Sequence, residues 1–361
     1  PAAWCPALWI IFMATHTVTF DTNAVSVQVP SGALLSEAAR LAKVEIGQPC
    51  GGQGRCGRCV VKVVSGVVRR RSTLRLAPEQ VEEGYALACQ TVVEGDVVIH
   101  IPEQEKVERR LTTDRTVGEV AVPANYDPET MQSMHRLILR LLPPRMDDQT
   151  DDWSRLQTGL RQTANFTRVN TSLQMLKRIS GILREGDWSV TAVVELLTDE
   201  ASGGLRERLV DLLPRIVFED EPLWGIAVDI GTTTISLWLV DLLTGEVKAQ
   251  VAEYNGQISR GEDVISRIMY SAKEGGLADI QKRVLDTINS LVITACQHAH
   301  VNPNEIFKAT IAGNSTMIHL LLGIPAQNIR LAPFITTVNH PPLVRAFEIG
   351  LDICPEATVD C

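Results

Sequence analysis

The stretch PCGGQGRCGRC, residues 49–59, constrains this chain more than any other feature in it. Cys50, Cys56 and Cys59 follow a C-x5-C-x2-C pattern, and Cys89 comes after 29 further residues. A zinc ribbon normally supplies two tight C-x2-C pairs. Here there is one trio and one distant singleton. Three ligands from one loop and a fourth from elsewhere is the arrangement of a 2Fe–2S centre. Gly51, Gly52, Gly54 and Gly57 let the backbone wrap closely around such a group and point N–H groups at sulfur. Arg55 and Arg58 are then placed to offset part of the thiolate charge. A zinc knot, or reduced thiols in a glycine-rich turn, are the alternatives.

The frame around the loop is a small α+β unit. TVTF and AVSVQV alternate as two strands joined by a turn. SGALLSEAARLAK puts Leu34, Leu35, Ala38, Leu41 and Ala42 on one helical face, with Ser31 as the expected cap. CVVKVVSG, YALACQTVV and DVVIHIP read as further strands. Residues 14–103 resemble the ferredoxin family. The gap of five after the first cysteine departs from the plant-type gap of four and matches the adrenodoxin-like branch. The resemblance implies a β-grasp domain over residues 13–103 and one-electron transfer, with Cys50, Cys56, Cys59 and Cys89 as metal ligands.

The remaining 258 residues exceed what a ferredoxin needs, so two or three domains are expected in 361 residues. A net charge of −9 lacks the basic footprint of a nucleic-acid binder. Eight cysteines, three clustered and five scattered, do not make a secreted disulfide scaffold, so a cytoplasmic setting is expected. PAAWCPALWIIF precedes Met13 and is far short of the ~20 apolar residues that span a bilayer. Residues 1–12 therefore read as an upstream or non-native extension, and no membrane partner is expected.

Residues 104–124 are charged and aperiodic and read as a linker. Residues 125–219 read as a mainly helical middle domain. ETMQSMHRLILRLL, DDQTDDWSRLQTGLRQ, NTSLQMLKRISGILREG and SVTAVVELLTD are its expected helices. The acids before Trp153 suit a capped helix start rather than a metal site.

From Trp224 the pattern changes to strands joined by tight turns: WGIAVDIGTTTISLWLVDLLTGEVKAQVAEY. Asp229 ends the first strand and Gly231 permits a sharp turn. Thr232, Thr233 and Thr234 offer hydroxyls and N–H groups, so the turn can cradle phosphate while Asp229 serves a Mg²⁺ shell. A plain hairpin tip is the alternative. No G-x-x-x-x-G-K-[ST] occurs, so a P-loop is excluded. The order of strands, turns, helices near 261 and 277–299, and a later strand IFKATIAG resembles the actin, sugar-kinase and heat-shock-chaperone ATPase superfamily, whose fold is ribonuclease-H-like. That resemblance implies a nucleotide site with Asp229 at Mg²⁺ and Gly231, Thr232, Thr233 and Thr234 at the phosphates.

YNGQISRGEDVISRI and IAGNSTMIHLLLG, joined to the ferredoxin, resemble the ATP-dependent reductive activators of corrinoid proteins. The resemblance implies that cobalt is returned from Co(II) to Co(I) with help from ATP and Mg²⁺. It implies as partners a corrinoid protein or corrinoid-dependent methyltransferase and an upstream electron donor. Asn255, Gln257, Asp263, Asn314, Ser315 and Thr316 are candidates for the cleft, with backbone capping as the alternative for each. His319 and Cys296 read as buried structural residues, and Cys354 and Cys361 carry no expected role. The rival functions are a ferredoxin-type subunit of another oxidoreductase and a metabolite kinase of the same superfamily. After IAGNSTMIHLLLGI only 37 residues remain, a Pro-rich coil with no second phosphate turn. Residues 220–361 therefore read as the first part of an ATPase domain. The expectation is a chain that assembles its cluster and accepts an electron without useful ATP hydrolysis.

Overall fold

The computed structural model describes residues 14–48, 50, 52–102, 125–198, 205–218 and 220–361. The expectations for residues 1–12, for the 104–124 linker and for Gly51 lie outside these residues. Two compact units emerge: Pro1–Arg110 with Gln257–Gly276, and Leu111–Gly256 with Leu277–Cys361.

In the first unit, β1 (Thr15–Phe20) and β2 (Val25–Pro30) form the expected hairpin. Helix α1 (Leu35–Leu41) precedes the cysteine loop. Then come β3 (Val60–Arg70), α2 (Pro78–Glu82), β4 (Tyr85–Leu87) and β5 (Thr91–His100). The sheet order is β2-β1-β5-β3-β4, with β1 and β5 parallel at its centre. This is the β-grasp arrangement. Val18, Phe20, Leu35, Ala38, Val61, Leu87 and Ile99 form its core, all without exposed surface. Ser31 is not the cap of α1. Its N–H bonds the Ala14 carbonyl at 2.7 Å. The helix starts later, where the Glu37 carboxylate accepts the Leu34 N–H at 3.1 Å.

Residues 125–219 are not mainly helical. After the short α3 (Pro128–Met131) comes a strand, β6 (Met134–Arg140), then α4 (Asp152–Ala164) and α5 (Leu173–Glu185). Two long strands follow, β7 (Ser189–Thr198) and β8 (Leu205–Leu213), and the three strands make one antiparallel sheet. Two of the expected helices are therefore strands. Val190, Thr191, Val193 and Val194 crowd β-branched side chains into β7, which favours a pleated strand. β6 pairs with β7 residue for residue from Met134↔Glu195 to Arg140↔Ser189. Its short apolar run has no decisive period of its own, so tertiary pairing sets its state. The two remaining helices match expectation. Asp151 caps α4 by accepting the Ser154 N–H at 2.9 Å, and Ser172 caps α5. Leu156, Leu160, Met175 and Leu183 pack them on Val190 and Leu209.

The largest sheet begins with the meander β9 (Trp224–Ile230), β10 (Thr234–Asp241) and β11 (Val247–Tyr254). Helix α6 (Val264–Ser271) follows in sequence but belongs to the first unit. Then come α7 (Gly276–Ala299), β12 (Ile306–Gly313), α8 (Ser315–Leu321), β13 (Val344–Arg345), α9 (Ala346–Ile349) and β14 (Thr358–Asp360). The sheet order is β11-β10-β9-β12-β14-β13, with β12 parallel to β9 and β14 parallel to β12. The segment read as Pro-rich coil thus contributes β14 to the sheet. Buried ion pairing supports it: Arg208 donates to Glu195 at 2.8 Å and to the Glu356 carbonyl at 2.9 Å. Thr358 also bonds Glu195. Among the described residues no helix is long and apolar enough to cross a membrane.

Candidate functional site

The cysteine loop joins α1 to β3. Gly52, Gly54 and Gly57 all have positive φ (86°, 72° and 70°), a region that side chains disfavour. These turns bring Cys50 and Cys56 together, with sulfurs 3.3 Å apart. Cys59 immediately precedes β3, and Cys89 lies in the tight turn after β4. The antiparallel register Val60↔Leu87 carries Cys59 to that turn, and Ala88 N–H bonds the Cys59 carbonyl at 2.9 Å. Cys59 and Cys89 are therefore also paired, with sulfurs 3.3 Å apart. Strand pairing thus closes the 29-residue gap in the sequence. The Gln90 side chain locks the two parts by donating to the Gly52 carbonyl at 3.0 Å.

The four thiols form two pairs. Cys50 and Cys56 are half-buried, while Cys59 and Cys89 are buried. Among the described residues, no three Cys, His, Asp or Glu groups converge where one metal ion could sit. Four thiols in two pairs are a donor set that fits a 2Fe–2S centre. Loop amides are aimed at sulfur. Burial works to raise the Cys50 pKa, but hydrogen bonds from Cys56, Arg55 and Gln53 bring it down. In the inner pair, the Cys59 thiol donates to Cys89. That bond, with burial, pushes Cys59 far up, while the same bond lowers Cys89 to about 6.

A cation from elsewhere in the chain, Lys273, stands beside the cysteine loop, and no sequence pattern points to it. A Cβ added to Gly52 would lie 3.0 Å from Lys273 Nζ and 3.8 Å from Cys89 Cβ. Burial lowers the Lys273 pKa, and the negative charges of Glu37, Cys89 and Cys50 oppose that. Lys273 belongs to the strap Gln257–Gly276. Gln48 N–H donates to the Ser259 carbonyl at 2.8 Å, and Gln53 Nε2 donates to Met269 Sδ at 3.1 Å. No motif signals this contact, because Lys273 is remote in sequence from every cysteine of the site.

The second candidate lies at the carboxyl ends of β9 and β12. Asp229 is exposed near the end of β9, and Thr232, Thr233 and Thr234 follow at the turn. Gly231 is required there, because a Cβ would meet the Thr234 carbonyl oxygen at 2.6 Å. Asn255 fastens the turn: its N–H donates to the Thr233 carbonyl and its side chain to the Gly231 carbonyl, both at 2.9 Å. The register Ala312↔Asp229 sets the Asn314 loop beside this turn. Crevices at strand carboxyl ends are where α/β sheets bind ligands.

The other cleft candidates divide. Asp263 caps α6 through the Ser266 N–H at 2.7 Å, and Asn314 caps α8 through the Met317 N–H at 3.0 Å. Gln257 is buried and accepts from Arg267 at 3.1 Å. Ser315 lends its carbonyl to His319 Nδ1 at 2.6 Å, and Thr316 is buried. His319 Nε2 accepts the Thr337 N–H at 3.1 Å, so this histidine is a buried staple, as expected. Cys296 and Cys354 are also buried, and burial pushes their thiols up to about 11 and about 12.

Known proteins match along most of the chain. Residues 18–94 match the 2Fe-2S iron-sulfur cluster binding domain, 128–215 the RACo linker region and 224–361 the RACo middle region. The family's linker label thus falls on the three-stranded sheet and its helices. The corrinoid activation enzyme RamQ of Eubacterium limosum is 28% identical over 352 residues, covering 95% of this chain and 52% of that protein. A solved structure, the reductive activator for corrinoid, iron–sulfur protein, is 34% identical with a TM-score of 0.54. It covers 96% of this chain and 54% of its own. One component of the Na(+)-translocating NADH-quinone reductase of Haemophilus influenzae is 32% identical over 92 residues, 24% of this chain and 22% of that component. The chain spans about half the length of the corrinoid-activating relatives.

Proposed function

Because the chain belongs to the RACo family, with a 2Fe–2S domain at its head, we propose that it is the electron-delivering part of an ATP-dependent reductive activator. Its target is a corrinoid protein held as Co(II), or the methyltransferase that carries one. One observation carries the reading: the paired-cysteine ferredoxin is continuous with domains matched end to end by corrinoid activators. The quinone-reductase match covers only 24% of the chain.

In this reading Cys50 and Cys56 ligate one iron, and Cys59 and Cys89 the other. A 2Fe–2S centre so held accepts and gives up one electron. The chain's own residues shape that site. The glycine turns aim amides at the sulfurs, Gln90 holds the loop against the Cys89 turn, and burial of the inner pair excludes water. The half-buried outer pair marks the side nearer an electron-transfer partner.

Asp229 and the turn Gly231–Thr234 would hold Mg²⁺ and the phosphates of ATP. A plant-type centre sits at about −400 mV, and cobalt in such proteins is harder to reduce than that value suggests. Nucleotide binding helps only by its difference in affinity between two states of the complex. The test is anaerobic reduction of a Co(II) corrinoid protein, followed by the cobalt absorption bands, with and without ATP. Co(I) formation that requires both the holoprotein and ATP is the expected result. Equal reduction without ATP favours a plain electron-transfer protein, and phosphorylation of a small metabolite favours a kinase.

A further inference from the structure

The strap Gln257–Gly276 is a segment that the electron-transfer reading leaves without a role. Its ends run on covalently from β11 and into α7, yet it packs with the ferredoxin. Three polar contacts fasten it beside the cysteine loop: Ser259 to Gln48, Met269 to Gln53, and the Arg260 guanidinium to the Ile46 carbonyl at 3.4 Å. Its last turn delivers Lys273 into the space that Gly52 leaves by lacking a Cβ. The Lys273 ammonium and the Arg260 guanidinium both lie against the Tyr270 ring, at 5.5 and 5.6 Å from its centroid.

Two groups of α1 face the same crevice. Glu37 carries a negative charge, engaged with the Leu34 N–H, and Arg40 a positive one. With Arg260 and Lys273 the crevice carries three positive charges and one negative. Lys273 is the one of these that reaches the loop at Gly52, beside Cys89.

We propose that Lys273 tunes the reduction potential of the cluster upward, and that reduction in turn tightens the strap on the cysteine loop; this depends on the four cysteines holding the cluster. Reduction adds one electron from an external one-electron donor and no proton, so the centre gains one negative charge. A fixed ammonium in a partly desolvated crevice stabilises that added charge more than bulk water would. Coupling of this kind is reciprocal: if the docked strap favours the reduced state, the reduced state favours the docked strap by the same factor. Release of the strap would then leave the same electron on a more strongly reducing centre.

The experiment is a potentiometric titration of the iron- and sulfide-loaded protein, read by the electron paramagnetic resonance of the reduced cluster. At a fixed potential, Lys273→Gln is expected to lower the reduced-to-oxidised ratio about tenfold, which is 59 mV for one electron. Lys273→Arg keeps the charge and is expected to stay within about twofold of wild type. A second measurement needs no variant: tryptic cleavage after Lys273 in the wild-type protein is expected to be about tenfold slower when dithionite has reduced the cluster. An unchanged ratio in a fully loaded Lys273→Gln protein overturns the proposal. So does an equal fall in Lys273→Arg, which would make packing rather than charge the cause. If Lys273→Gln does not load, the cleavage comparison decides, and equal rates in the two redox states overturn the proposal. Absence of any 2Fe–2S signal in the wild type overturns the cluster reading itself and this inference with it.

Discussion

The cysteine loop and the Asp229 turn both follow a regular element, and both depend on glycine. They assemble their functional groups differently. The cysteine site draws on distant stretches: the loop at 50–59, Cys89 brought in by the β3–β4 register, and Lys273 on the strap. Its sulfurs end up in contact, pair by pair. The Asp229 turn draws on six consecutive residues, with Asn255 as its brace. It presents an exposed carboxylate, hydroxyls and amides. The thiols of the first site already touch in pairs. The second offers one wall, so its chemistry depends on what else approaches it.

That contrast breaks most readily at the cysteines. Cys56→Ala is expected to abolish the visible absorption and the acid-labile sulfide altogether, because an open thiolate position leaves iron incompletely ligated. Metal analysis giving one zinc and no sulfide would instead sink the two-iron reading.

Next in size is the buried charge network that ties β7 and β8 to the β14 segment. Arg208→Met leaves Glu195, fully buried, without its ion pair. Removing one partner of such a pair costs about 3–5 kcal/mol. Urea unfolding followed by tryptophan fluorescence should show that loss, while the cluster absorption of the folded protein stays as it was. A cluster lost in step would mean that the cysteine loop depends on this network for its fold.

Asp229→Ala sharpens the comparison from the other side. An outer-shell carboxylate is typically worth 10–100-fold in metal affinity, and a loss of roughly that order in Mg–nucleotide binding by calorimetry is expected. The cluster spectrum should not change. Unaltered nucleotide binding would reduce the turn to a hairpin tip.

The smallest effect is a pH response away from both sites. Asp148 is held down to about 2 by hydrogen bonds from Thr150 and Arg155. Its carboxylate therefore contributes stability above the unfolded value of about 3.9, and loses it as pH falls toward about 2. The difference in melting temperature between wild type and Asp148→Asn should shrink across that window. A constant difference from about pH 5 to about pH 2 would rule the ionic contribution out.

Much of the fold could be read from local pattern. The ferredoxin strands alternate with one face buried, so their period of two identifies them. The Trp224–Tyr254 meander, α7, β12 and α8 also fall where periodicity and turn residues place them. The failures sit in residues 125–219. β7 carries a β-branched signal for strand that the apolar-run reading overlooks, whereas β6 is a short apolar run that serves helix and strand alike, and only pairing along Met134–Arg140 decides its state. β14 is missed for a related reason: three residues carry no period, and they become a strand because β12 offers an edge.

Covalent chemistry and local sterics are what the amino-acid order determines without help. Cysteine spacing, glycines at positive φ, Asp151 and Ser172 as caps, and the tight Asp229–Thr234 turn all act within a few residues of themselves. Contacts across long loops are decided elsewhere, because closing a loop costs entropy that only the packed core repays. The meeting of Cys59 with Cys89, the charge network on Arg208 and the arrival of Lys273 beside Gly52 belong to that second class. Each follows from strand register or from a docked segment, and neither is written in the spacing of the residues themselves.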